Sequence, residues 1–282
     1  MQEPLDIGEI VLHHAADAYS IGIEPYFMLE WHKLDALQFG PFNLTPSRHV
    51  IFMVIAAVLV FLTMRIAGQK LQKQRASENA PKGFANAIEA LVLFVRNDIA
   101  IANIGPDGAR FAPLIMTLFF FILCMNLLGL VPHGATATGN LAVTAGLAVI
   151  AVLTIEISGF MKLGAAGYMR TIFPMVPGLS GAGAVAMAIF MAPIEIIGKL
   201  VKPFALCVRL FGNMTAGHFV ILSLLGIIFL FGQLPFWNWG IGIVTATLVL
   251  AIMMLELFVG LLQAYVFALL TAVFIGLMQH EH

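Results

Sequence analysis

The chain has 282 residues, 61% of them hydrophobic and 10% charged, with a formal net charge of -1 and a mean hydropathy of +0.98. That balance excludes an ordinary water-soluble domain and leaves almost no room for an extramembrane catalytic one, so the composition points to a single polytopic all-α domain in a lipid bilayer. The two cysteines, Cys124 and Cys207, sit in apolar stretches and form no CxxC pair, so neither a disulfide framework nor a zinc site is expected.

Residues 1–47 mix acids with Tyr19, Tyr26, Phe27 and Trp31 and with His13, His14 and His32, and read as an extramembrane or interfacial segment. Glu3, Asp6 and Glu9 near the start, without a basic run, argue against a signal or transit peptide. The membrane domain follows, over residues 48–282. Its first crossing is predicted at about 50–67, and Lys70, Lys73, Arg75 and Lys82 stand behind it. By the positive-inside rule that connection is cytoplasmic and the N-terminus lies outside.

A semi-polar stretch at 84–101, containing Glu89, Arg96, Asn97 and Asp98, leads into a second crossing at about 112–131. The connection 132–140 has no Lys or Arg, as an outside loop should, and the third crossing, 141–161, returns to Lys162 and Arg170 inside. Between 171 and 191, Pro174, Pro177 and the following Pro193 with Gly178, Gly181 and Gly183 break the pattern into two pieces too short to span, which predicts a re-entrant or interfacial hairpin. Two apolar segments complete the chain, at about 188–231 and 239–278, separated by an outside turn around Pro235 and Trp237. Each exceeds a perpendicular span, so both are expected to be strongly tilted. The predicted fold thus has about five crossings, an interfacial hairpin, and a cytoplasmic C-terminus.

The most informative stretch runs from Glu195 through Lys199, Lys202 and Arg209 to Asn213. Intervals of four, three, seven and four residues keep all five on one helical face. An Arg at the bilayer centre costs at least about 2.5 to 3.5 kcal/mol, so this face must look at protein or water. The guanidinium stays protonated and cannot relay a proton; it acts as a fixed charge. A carboxylic acid brought within about 4 to 6 Å of it would lose its proton, its pKa falling by roughly 1 to 3 units. A structural Arg tied to an acid such as Glu256 is the competing reading. Lys199 and Lys202, nearer the cytoplasmic end, are expected to snorkel.

The run Lys202-Pro-Phe-Ala-Leu-Cys-Val-Arg209-Leu-Phe-Gly-Asn213-Met-Thr-Ala-Gly-His218 resembles the signature of subunit a of F-type ATP synthases, whose essential arginine falls at Arg209. Leu262-Gln263-Ala264-Tyr265-Val-Phe and Met125-Asn126-Leu127-Leu128-Gly129-Leu-Val-Pro132 resemble two further family motifs, in the family's order, from about residue 48 to the C-terminus. The resemblance implies a non-catalytic, proton-translocating subunit of the F0 sector in a bacterial inner membrane, without cofactor or metal. Its implied partners are a ring of c subunits, the peripheral-stalk b subunits and the bilayer, with no nucleic acid.

In the family, an arginine separates two aqueous half-channels. The resemblance implies that Arg209 faces the ring carboxylate, with Asn213 one turn away and Gln263 opposite on the last helix. It makes His218 and Glu256 the access-channel pair, in the order seen in mitochondrial-like members, and assigns Glu195 to the exit side and Asn126 to a polar channel position. Gln263 shares a face with Glu256 and Gly260 by its spacing. Glu156 has no counterpart and reads as structural or snorkelling. Two other classes compete: an intramembrane serine protease, because Gly178-Leu-Ser180-Gly181 fits GxSG with His218 as a base, and a secondary transporter, although no related halves are visible.

Overall fold

The computed structural model describes residues 20–23, 27–30, 38–39, 42–43, 46–76, 83–131, 134–174, 181–231 and 238–280. The N-terminal segment contributes two small antiparallel ribbons, β1 (Ser20–Ile23) with β2 (Phe27–Glu30) and β3 (Gln38–Phe39) with β4 (Phe42–Asn43). Six helices follow: α1 (Arg48–Ala76), α2 (Phe84–Phe94), α3 (Gly108–Gly129), α4 (Leu141–Ile172), α5 (Ala182–Phe231) and α6 (Asn238–His280). All but α2 are long and apolar enough to cross a membrane, which makes this a multi-pass membrane protein. Their many exposed large side chains, Phe61, Phe190, Phe204 and Phe258 among them, are what helices facing hydrocarbon present.

Most of the helices run beyond the predicted spans, because residues with good helix propensity, polar as well as apolar, continue past the apolar run. α1 runs on to Ala76 through the basic cluster. Of the hairpin expected over 171–191, residues 182–191 already belong to α5, α4 reaches Ile172, and residues 175–180 lie outside those described. Pro193 and Pro203 sit inside α5 without ending it. The semi-polar stretch forms α2, a π-helical segment (Val95–Ile101) and a final turn (Ala102–Ile104), with Val95, Ile99 and Ala100 buried.

One break lies inside α4. Gly164 has φ 69° and ψ 175°, a left-handed conformation that glycine adopts without the Cβ penalty, and it folds the last residues of α4 back on the rest.

The chain divides into two compact units. The first gathers residues 1–63, 121–141 and 210–263, with Ile122, Met125, Leu210 and Met214 in its core. The second gathers 64–120, 142–209 and 264–282 around Val95, Ile99, Ile115, Phe267 and Ile275.

Candidate proton path residues

The first unit holds a buried polar cluster. His218 of α5 places Nδ1 2.8 Å from Glu256 Oε1 on α6 and 3.2 Å from the Met214 carbonyl. Its Nε2 lies 3.0 Å from the Thr136 hydroxyl and 3.1 Å from the Gly129 carbonyl. Between a carboxylate and a carbonyl, Nδ1 carries a hydrogen and donates it. Nε2 has a partner either way: bare, it accepts from the Thr136 hydroxyl, and protonated, it donates to the Gly129 carbonyl. The imidazole can therefore gain and lose a proton without leaving either ring nitrogen unpaired, which lowers the cost of such a change.

Glu256 is 3% exposed, and among the described residues its Oε2 makes no hydrogen bond. Its carboxyl fits because residue 217 is glycine; a Cβ there would lie 2.8 Å from Oε1. Asn126, fully buried on α3, donates Nδ2 to the Gly260 carbonyl at 2.8 Å and accepts from the Thr138 hydroxyl at 2.8 Å. His49, at the start of α1, contacts the Thr136 carbonyl at 3.1 Å, fixing the segment that carries the hydroxyl. The sequence pattern singled out His218, Glu256 and Asn126 but neither Thr136 nor His49. The one signal available for Thr136 was its place in a connection free of Lys and Arg.

The second unit holds the charged end of the α5 stripe. Lys199 Nζ contacts Glu156 Oε2 at 3.4 Å and Thr171 Oγ1 at 3.1 Å, and lies 4.6 Å above the Tyr168 ring. Tyr168 donates its hydroxyl to the same Glu156 oxygen at 2.6 Å. In an unbroken helix residues 156 and 168 would be roughly 18 Å apart along the axis, so this bond exists because Gly164 turns the chain back. Glu195, half-buried, and Lys202, exposed and 5.1 Å from the Phe274 ring, lie on the same polar stripe. Lys199 therefore does not simply snorkel to an interface; a carboxylate and an aromatic face hold it.

Arg209 and Asn213 are exposed, while Leu206, Cys207, Leu210 and Met214 on the same helix are buried. Among the described residues Arg209 has no hydrogen-bonding or ion-pair partner; the acid suggested as its tether, Glu256, instead bonds His218. Gln263 is 5% exposed. Of the protease candidates, Gly178 and Ser180 lie outside the described residues.

Against known proteins, the family model described as ATP synthase A chain matches residues 50–276. The ATP synthase subunit a of Chloroherpeton thalassium is 44% identical over 271 residues, covering 96% of this chain and 77% of the relative. ATP synthase subunit a 2 of Chlorobaculum tepidum is 43% identical, covering 96% of this chain and 72% of the relative. ATP synthase subunit a of Anaeromyxobacter dehalogenans strain 2CP-1 is 42% identical, at 96% and 69% coverage. The chain belongs to the ATP synthase A chain family, the non-catalytic proton-channel stator subunits of F0.

Proposed function

We propose that Arg209 is the fixed charge that separates two half-channels in this subunit and strips protons from the carboxylates of a passing c-subunit ring. The observation that carries the reading is an exposed guanidinium, without a described partner, in an apolar helical span of 44 residues. Leaving such a charge against lipid costs at least about 2.5 to 3.5 kcal/mol, which a facing ring carboxylate would remove. Asn213, exposed one turn away, adds a neutral hydrogen-bonding group to that face.

His218 and Glu256, with Asn126 bracing α3 to α6, form the entry side. Glu195 stands on the exit side, and Gln263 supports the last helix near the working face. The basic connections put the N-terminus outside and the C-terminus in the cytoplasm of a bacterial inner membrane, and the b subunits of the stalk complete the stator. The ring carboxylate, neutral in lipid, is deprotonated beside Arg209 by the Coulombic attraction between the two charges.

In reconstituted vesicles, Arg209→Ala should abolish ATP-driven acidification with the complex still assembled. Arg209→Lys should fail too, since a point-like ammonium does not reproduce the planar fork. An assembled Arg209→Ala complex that pumps normally would refute this reading.

A further inference from the structure

Resting on that reading, we propose that Glu156 is a second proton-carrying station on the Glu195 side, sharing one hydrated cavity with Glu195. The cavity, of about 50 Å³, lies in the second unit and is walled by Glu156, Glu195, Lys199, Lys202 and Thr271 among apolar side chains. It has room for about three waters at ~15 Å³ of accessible volume each, and polar partners to hold them.

The way Glu156 is held distinguishes a carrier from a brace. Tyr168 and Lys199 both bind Oε2, and among the described residues nothing binds Oε1. A proton can therefore be added at Oε1 while Oε2 continues to accept from both donors, so the carboxyl keeps its position in either state. In the step itself, a hydronium ion in the cavity gives its proton to Oε1, an O–H bond forms and a water molecule is left. The neutral acid then returns the proton to the next water, and the carboxylate is restored. Lys199 and Tyr168 are the positioning residues. Gly164 is the turn that brings Tyr168 within reach.

Glu156→Gln separates the two roles, because a glutamine carbonyl still accepts from Tyr168 and Lys199 but carries no titratable proton. In the assembled complex in vesicles, Glu156→Gln should slow ATP-driven acidification at least about tenfold, and Glu156→Asp should restore most of the rate. Wild-type pumping by Glu156→Gln, or equal slowing by Asp and Gln, overturns the proposal. Arg209→Ala is measured in the same preparation. If it is inactive while Glu156→Gln pumps, only the role of Glu156 falls; if it pumps, the half-channel reading falls as well. Should Glu156→Gln fail to assemble, Glu156→Asp is compared with its neutral isostere Glu156→Asn. A faster Asp complex supports the station and equal assembled rates refute it.

Discussion

On the proposed proton path, the two polar clusters would solve one problem by different means. Around His218, a ring with two nitrogens is surrounded by a carboxylate, two carbonyls and a rotatable hydroxyl, so the change of protonation is absorbed by switching partners at Nε2. Around Glu156, a residue of the cavity wall, one oxygen is held by a cation and a phenol and the other has no described partner, so the change would be absorbed at the second oxygen with no switching. The first cluster pairs a deeply buried acid, Glu256 at 3% exposure, with a more open imidazole, His218 at 31%, whereas Glu156 and Lys199 are alike at 25% and 17%.

The comparison can be broken by substitutions of graded effect. The largest belongs to neither cluster: Arg209→Ala should stop pumping outright, as given above. Next is Gly217→Ala, whose new methyl would sit 2.8 Å from Glu256 Oε1 and push aside a flexible carboxyl rather than the backbone. It should cut the initial rate of vesicle acidification about tenfold while costing only about 1–3 kcal/mol of stability; an unaltered rate would mean that the His218–Glu256 bond is dispensable. Thr136→Val, which keeps the shape of the side chain and removes the hydroxyl, should slow entry by a smaller factor of about three to ten, with Thr136→Ser near wild type. If valine and serine behave alike, the alternative-acceptor account of His218 is wrong.

Much of this was legible in the primary sequence, and the failures have physical causes. Apolar length gave the five crossings, and the spacing from Glu195 to Asn213 gave the polar stripe, because helical period is a local property. The family motifs paired His218 with Glu256, a contact across 38 positions that no period reveals. Thr136 escaped because its role depends on a connection folding onto Gly129 and His218. The Tyr168–Glu156 bond escaped because the sequence reading ended the third crossing at residue 161, and nothing in a single glycine announces the positive φ at Gly164. The short ribbons at 20–43 carried no clean strand alternation and were read only as an interfacial segment.

The most direct test of the central claim is a structure of the assembled membrane sector, measuring the distance from the Arg209 guanidinium to the nearest c-ring carboxylate. The account predicts a rotor acid within about 4 to 6 Å, with no acid of this chain closer. A guanidinium packed against lipid tails, or paired inside its own subunit away from the ring, would contradict it.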